Sequence, residues 1–242
     1  MRDRSFGSIV TGSAGTLGAA VMRALTKRGD RVIGLDRLVP ETSSATSLPV
    51  ELTDAASVRA AVDQAAEMLG QIDVLVHAAG IMRVSSFMQT TEGDLEKQLD
   101  VNLMGAFRVC QAVAARMLGT GGRILIMTSV HGQVGVPGRA AYAASKGALA
   151  ALGRVMAAEL APHRIRVNML APGAVDGGLQ PTASSRDHWV AATPSQRVAQ
   201  PDEVARFAAM LTSDDASFIN GQTIAIDGGA STLKAFSPSA EA

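Results

Sequence analysis

The chain has 242 residues, 47% hydrophobic and 18% charged, with zero formal net charge and a pI near 6.9. That length can bury a substantial core as one domain over 1–242, and the neutral balance offers no basic field to nucleic acid or to an anionic membrane surface. Cys110 is the only cysteine, which excludes internal disulfides and thiolate metal clusters; with no secretory leader and no unbroken apolar run of about 18 residues, a cytoplasmic protein without nucleic-acid or membrane partners is expected.

Apolar runs of strand length recur along the chain at 8–10, 31–35, 48–52, 72–76, 123–127, 165–170 and 223–226, and helical patterns lie between most of them. The runs are rich in Val, Ile and Leu with little polar alternation. They predict a parallel sheet of about seven strands covered by helices on both faces, an α/β doubly wound, Rossmann-like fold. A polar connection at 41–48 joins the second and third runs, and no repeat or linker divides the chain.

The first run enters Thr11-Gly12-Ser13-Ala14-Gly15-Thr16-Leu17-Gly18, and a helical run over 19–28 leaves it. This is the strand, loop and helix context of a phosphate-binding turn, in which backbone N–H groups and the positive helix end face a pyrophosphate. Ligands of such sheets bind beyond the carboxyl ends of the strands. After the second run stands Asp36, 18 residues beyond Gly18, near the offset at which an acid hydrogen-bonds the adenosine ribose. A ribose 2′-phosphate there would meet like charge, costing roughly 4 kcal/mol per charge pair at about 4 Å and an effective dielectric near 20, on the order of a thousandfold in binding. Asp36 therefore favours NAD over NADP. Arg37 is the competing signal, because a guanidinium can clamp a phosphate, and the plain alternative for Asp36 is a solvated strand-end carboxylate.

Tyr142 and Lys146 are four residues apart, and Ser129 precedes the tyrosine by thirteen. On a helix, residues at that spacing lie about 40° apart around the axis and roughly 6 Å along it, so Tyr142 and Lys146 share a face and reach one ribose and one substrate oxygen. A phenol of reference pKa near 10 is a poor base at neutral pH. A nearby ammonium and a nicotinamide's positive charge favour its phenolate, which makes Lys146 the expected activator. Ser129, at the end of the fifth run, can hydrogen-bond the substrate oxygen as charge develops there.

With these motifs the chain resembles the short-chain dehydrogenase/reductase family, in its single-domain branch of about 250 residues. The similarity includes His77-Ala78-Ala79-Gly80, where the family usually has Asn-Asn-Ala-Gly, then Val101-Asn102-Leu103, Met127-Thr128-Ser129, Tyr142-Ala143-Ala144-Ser145-Lys146, Arg166-Val167-Asn168-Met169-Leu170-Ala171-Pro172-Gly173 and Asp227-Gly228-Gly229. The resemblance implies an oxidoreductase in which Tyr142 exchanges a proton while hydride passes between nicotinamide and a secondary alcohol or ketone. It gives Asn102 the role of holding a water that leads the proton to solvent. Cofactor contacts are expected from Gly12, Ser13, Gly15, Thr16, Leu17, Gly18, Asp36, Arg37, Glu51, Leu52, Ala78, Ala79, Gly80, Tyr142, Lys146, Pro172, Gly173 and Val175. The chain departs from the branch at Thr16, which stands where a glycine is usual, at Glu51-Leu52 in place of Asp-Val, and at Gly177 in place of a threonine for the carboxamide.

The segment 177–200, with the only tryptophan, Trp189, reads as a lid over the substrate. Met82, Arg83, His131, Val134 and Arg139 lie in the other substrate loops; Arg83 and Arg139 either pair with a substrate carboxylate or are simply exposed. His77, His131, His163 and His188 show no metal-ligand spacing, so no metal is expected. The Ala- and Gly-rich stretch 140–161 permits close helix packing, and by resemblance the chain forms a homo-oligomer, a tetramer or a dimer. The catalytic residues are also compatible with an NADPH-dependent 3-oxoacyl reductase. The sequences Ala79-Gly80-Ile81-Met82-Arg83 and Gly229-Ala230-Ser231-Thr232-Leu233 are similar to a dihydrodiol dehydrogenase of the dihydrodihydroxybenzoate type. A non-catalytic nucleotide sensor is the alternative from another class; an intact proton relay argues against it.

Overall fold

The computed structural model describes residues 5–39, 46–179 and 183–232, with the side chains of 183–185 left out. Its centre is a seven-stranded sheet in the order β3-β2-β1-β4-β5-β6-β7. The strands are β1 (Gly7–Thr11), β2 (Arg31–Asp36), β3 (Ser47–Pro49), β4 (Val74–His77), β5 (Gly122–Met127), β6 (Ile165–Pro172) and β7 (Thr223–Ile226). All pairings are parallel. The predicted fold class is therefore observed. The third strand is shorter than the apolar run, which was expected to continue to 52. Pro49 brings no N–H to a ladder, and it ends a strand at the edge of the sheet, where that loss is tolerated. Residues 41–45 of the predicted polar connection, Leu233 of the dihydrodiol-like ending and 180–182 of the predicted lid lie outside the described residues.

Alternate strand residues face opposite layers, so the sheet has two cores. On one face Ile9, Leu75, Ile124 and Val167 pack against α2 (Ala55–Leu69), α4 (Gly105–Met117) and α5 (Ala140–Leu160). On the other, Val10, Val74, Val76 and Leu125 pack against α1 (Thr16–Arg28) and α7 (Pro201–Leu211). Fully burying an aliphatic side chain contributes about 1.5–3 kcal/mol, which is why nearly continuous apolar strands are stable only inside this three-layer arrangement. Two shorter helices complete the frame, α3 (Glu92–Leu99) and α6 (Ala183–Ala192). The order of strands reverses between β1 and β4, and the crevice of a doubly wound sheet opens at that point.

Helix α5 is set against the sheet end by one close approach. A Cβ on Gly132, in the turn after β5, would lie 2.8 Å from the backbone of Lys146 and from the Gly147 nitrogen. Neither is the end of a flexible side chain that could step aside. Gly132→Ala must therefore displace α5 or the turn. We expect a loss of about 1–3 kcal/mol in urea unfolding, and an unchanged midpoint would contradict this packing.

Candidate active site

The loop from β1 to α1 is built by close backbone contact. Gly12 adopts a φ of +68°, and a Cβ on it would sit 2.7 Å from the Ala79 Cα; one on Gly18 would sit 2.0 Å from the Gly12 carbonyl oxygen. The loop is thereby pressed onto the end of β4. Gly15, at the helix N-cap, supplies no side-chain acceptor to the first turn of α1, which leaves N–H groups and the positive helix end for a ligand. A cleft of about 700 Å³ begins there, lined by Gly12, Gly15, Thr16, Leu17 and Gly18. It continues past Asp36, Arg37, Glu51 and Leu52 on one side and Ala78, Ala79, Gly80, Met82 and Arg83 on the other. Its size, its helix terminus and its acid beyond β2 fit a dinucleotide.

Asp36 is held in place: Oδ2 accepts from the Ala14 N–H at 2.9 Å and Oδ1 from the Leu38 N–H at 3.0 Å. Arg37 is exposed and within electrostatic reach of Glu51. The Glu51 carboxyl is held below its usual range, chiefly by the Thr53 N–H and hydroxyl. Thr16, which replaces a glycine of the branch, donates from its hydroxyl to the Gly177 carbonyl at 2.5 Å. The side chain thus ties the loop to the segment after β6 across one wall of the cleft. Ser13 is buried beside Gly34, whose Cβ would meet its Oγ at 2.5 Å. Pro172, Gly173 and Val175 lie at and beyond the end of β6, where the Gly173 N–H donates to Ile226 and Val175 bridges to Ala199.

Tyr142, Lys146 and Ser129 gather at the end of β5. Tyr142 and Lys146 lie on the buried face of α5, 93% and 96% removed from solvent. The Lys146 ammonium donates to the Met127 carbonyl at 2.8 Å and lies 5.7 Å from the centre of the Tyr142 ring. Burial lowers its pKa to about 8. Burial also raises the Tyr142 phenol, against which a hydrogen bond with Ser129 and the positive charge of Arg139 act in the lowering direction. Lys146, which the sequence offers as the activating cation, thus stands near the phenol, and Arg139 is a further positive charge acting on it.

Asn102 occupies a single π-helical turn, Asp100–Met104, between α3 and α4. The widened turn brings its amide to the loop after β4: Oδ1 accepts from Ile81 N at 2.7 Å, and Nδ2 donates to Ile81 O at 2.9 Å and to Ser145 Oγ at 3.0 Å. Ser145 in turn donates to the Tyr142 carbonyl at 2.8 Å. This serine was missed in the sequence, although it lies three residues after Tyr142, a helical spacing that puts it on the same side of α5. A Cβ on Gly80 would lie 3.2 Å from Asn102 Oδ1 and 3.4 Å from Lys146 Nζ, so both polar groups border the space above that glycine. Asp94, Lys97, Gln98 and Val101, also unforeseen, line the cleft from α3 and the π turn.

Two substrate-loop arginines end in different surroundings. Arg83 pairs with Asp94 at 2.8 Å and its side chain is 70% exposed. Arg139 is buried, with only 8% exposed, and its Nε has no partner. The ring of His131 lies 5.9 Å from that of Tyr142 and 5.3 Å from that of Trp189 on α6. Val134, half-buried, donates its N–H to the Val130 carbonyl in the same turn. Cys110 is buried in the core, and burial pushes its thiol up to about 12.

A nucleotide crevice flanked by a serine, a tyrosine and a lysine defines a dinucleotide-dependent oxidoreductase. The family model described as enoyl-(acyl carrier protein) reductase matches residues 2–231, and the chain belongs to the short-chain dehydrogenase/reductase family. It is 35% identical to D-threitol dehydrogenase of Mycolicibacterium smegmatis over 237 residues, 92% of this chain and 91% of that protein. It is 34% identical to the 3-oxoacyl-(acyl carrier protein) reductase of Thermotoga maritima over 238 residues, 91% and 96% of the two chains. Among solved structures it resembles a gluconate 5-dehydrogenase from Burkholderia cenocepacia in complex with NADP and tartrate, with a TM-score of 0.88, 32% identity and 97% of each chain covered. No helix among the described residues is long and apolar enough to cross a membrane.

His77, at the end of β4, stands where the family usually has asparagine. It is fully buried, with Nδ1 2.9 Å from Thr11 Oγ1 and no partner at Nε2. Burial, reinforced by the Lys146 charge, lowers its pKa to about 3. Its folded pKa thus lies below the unfolded value near 6.5, so the neutral ring stabilises the fold fully above that pH, and the benefit drains as the pH falls toward 3. His131, held near 4 by burial and by Arg139, acts in the same sense. Between pH 6.5 and 5, His77→Asn should remove a stability slope approaching about 1.4 kcal/mol per pH unit. Urea midpoints across that range, with equal slopes in variant and parent, would count against a buried neutral His77.

Proposed function

We propose that the protein interconverts a secondary alcohol and a ketone on a small or medium-sized organic substrate, with NAD as the dinucleotide. The observation that carries this reading is the meeting of Ser129, Tyr142 and Lys146 at one end of β5, beside the crevice. When bound, the nicotinamide supplies hydride to the ketone or takes it from the carbinol. Tyr142 gives or takes the proton on the reacting oxygen, and Ser129 donates a hydrogen bond to that oxygen as its charge changes. Lys146, anchored on Met127, holds its positive charge beneath the phenol's helix face. Asn102 Oδ1 keeps a second lone pair beside the Lys146 ammonium above Gly80, which supports a water there as the way out for the proton.

The NAD preference rests on Asp36, an acceptor fixed by two backbone N–H groups. A second reading, an NADPH-dependent 3-oxoacyl reductase, is favoured by the Thermotoga maritima relative and by the NADP in the neighbouring structure. Exposed Met104, Phe107 and Val155 on the π turn, α4 and α5 support a homo-oligomer, a tetramer or a dimer, built on those helices.

Tyr142→Phe should lower turnover by about 10²–10⁴-fold while the dissociation constants for NADH and NADPH, measured at one salt concentration, stay within a few-fold. In the parent protein NADH should bind more tightly than NADPH; the reverse favours the second reading. Because burial raises the phenol, alcohol oxidation should quicken as the pH rises above neutrality and ketone reduction should not. Unimpaired turnover in the phenylalanine variant would remove Tyr142 from the reaction.

A further inference from the structure

Among the described residues Arg139 is a charge without a counter-charge. It precedes α5 at the N-cap position, and its own side chain makes no cap. Its residue is 92% buried, its Nε has no hydrogen-bond partner, and no acid among the described residues pairs with it. A guanidinium so placed loses most of its hydration. It also sits at the positive end of a 21-residue helix, where a second positive charge is disfavoured. Burial lowers its pKa accordingly. Such a group is retained at low cost only when an anion completes it. Arg83, the other candidate, is already neutralised by Asp94 and solvated.

What surrounds Arg139 says where that anion belongs. Its charge acts on the Tyr142 phenol and on His131, the two aromatic groups whose rings meet edge to face. His131 has its own orphan, a buried Nδ1 with no partner, and its ring packs against that of Trp189, centroid to centroid 5.3 Å. Two unsatisfied buried polar groups thus flank the phenol that handles the proton. Each leaves a desolvation cost that a bound ligand can relieve.

We propose that Arg139 is the carboxylate anchor of this site, so that the substrate is a short hydroxy acid, or its oxo acid, whose carboxylate pairs with the guanidinium while its hydroxyl or carbonyl oxygen meets Ser129 and Tyr142. The inference rests on Tyr142 as the proton-transfer group. Arg139 and Tyr142 are three residues apart at the start of one helix, so their side chains are neighbours. The carboxyl and the reacting carbon must be correspondingly close, which selects 2- and 3-hydroxy acids over acids that carry the alcohol at the far end of a chain. His131 Nδ1 serves as donor or acceptor to a further hydroxyl, and it suits a polyhydroxylated acid better than a plain one.

The test compares 2- and 3-hydroxycarboxylates of three to six carbons with their primary amides, which keep the shape and remove the charge. Calorimetry with the whole protein and NADH gives binding without turnover, and steady-state rates with NAD and NADP give catalysis. The expected result is that the best acid binds about 100-fold more tightly than its amide. In Arg139→Met the difference in binding should vanish through loss of the acid's affinity, with the amide's dissociation constant kept within a few-fold; Arg139→Lys should recover part of it. The proposal is overturned if acid and amide bind alike to the parent protein, a comparison that needs no variant to fold. It is equally overturned if Arg139→Met weakens binding of acid and amide alike, because the guanidinium would then shape the site without pairing with the carboxylate. Selective carboxylate binding with no turnover of any alcohol or ketone would instead leave the anchor standing and remove the oxidoreductase reading.

Discussion

A lysine side chain buried almost completely, with a carbonyl as its recorded hydrogen-bond partner, constrains the rest of the site. Lys146 reaches that carbonyl on Met127 only because α5 lies hard against the carboxyl end of β5, with Gly132 and Gly147 allowing backbone to touch backbone. The same contact leaves the Tyr142 phenol beside Ser129, and it leaves Ser145 where Asn102 can bond it. The helix cannot slide along the sheet without breaking a charge-assisted hydrogen bond in a place that water does not reach. Losing such a partner costs a buried charge several kcal/mol, which opposes any shift of the helix.

The crevice and the catalytic cluster are separate pieces of construction that meet at one glycine. The crevice is backbone work: Gly12 and Gly18 let the first loop lie on β4, and the uncapped start of α1 offers N–H groups. The cluster is side-chain work on α5 and the turn after β5. Gly80 stands between them, with Asn102 and Lys146 at its two sides. Electrostatics divide along the same line. An acid, Asp36, stands at the far end of the crevice, whereas the reacting end carries cations, Lys146 and Arg139, with no acid paired to either among the described residues. A negatively charged oxygen is favoured at that end of the molecule.

The sheet was legible because nearly continuous Val, Ile and Leu runs have few other stable placements, and six of the seven strands fell within a few residues of their expected bounds. The third ended at Pro49, short of the bound that the apolar pattern suggests, although Val50 still donates to Asp36. Glycine spacing and the Tyr142-Lys146 interval were legible because each has a local geometric reason. What depended on tertiary closure was not. The π turn carries no residue signature, and Thr16 finds Gly177 only once β6 is in place. An arginine beside a tyrosine reads the same exposed or buried. Tertiary packing distinguishes them: Arg139 is buried, whereas Arg83 is exposed and paired with Asp94.

The central claim is that the phenol and the ammonium of one helix face meet the reacting end of a bound dinucleotide. Its most direct test is a crystal structure of the protein soaked with NADH. The account predicts the adenosine ribose at Asp36, the pyrophosphate at the start of α1, and Tyr142 Oη and Lys146 Nζ both within hydrogen-bonding distance of the nicotinamide ribose. A nicotinamide directed away from α5, with neither group in reach of the ribose, would contradict it.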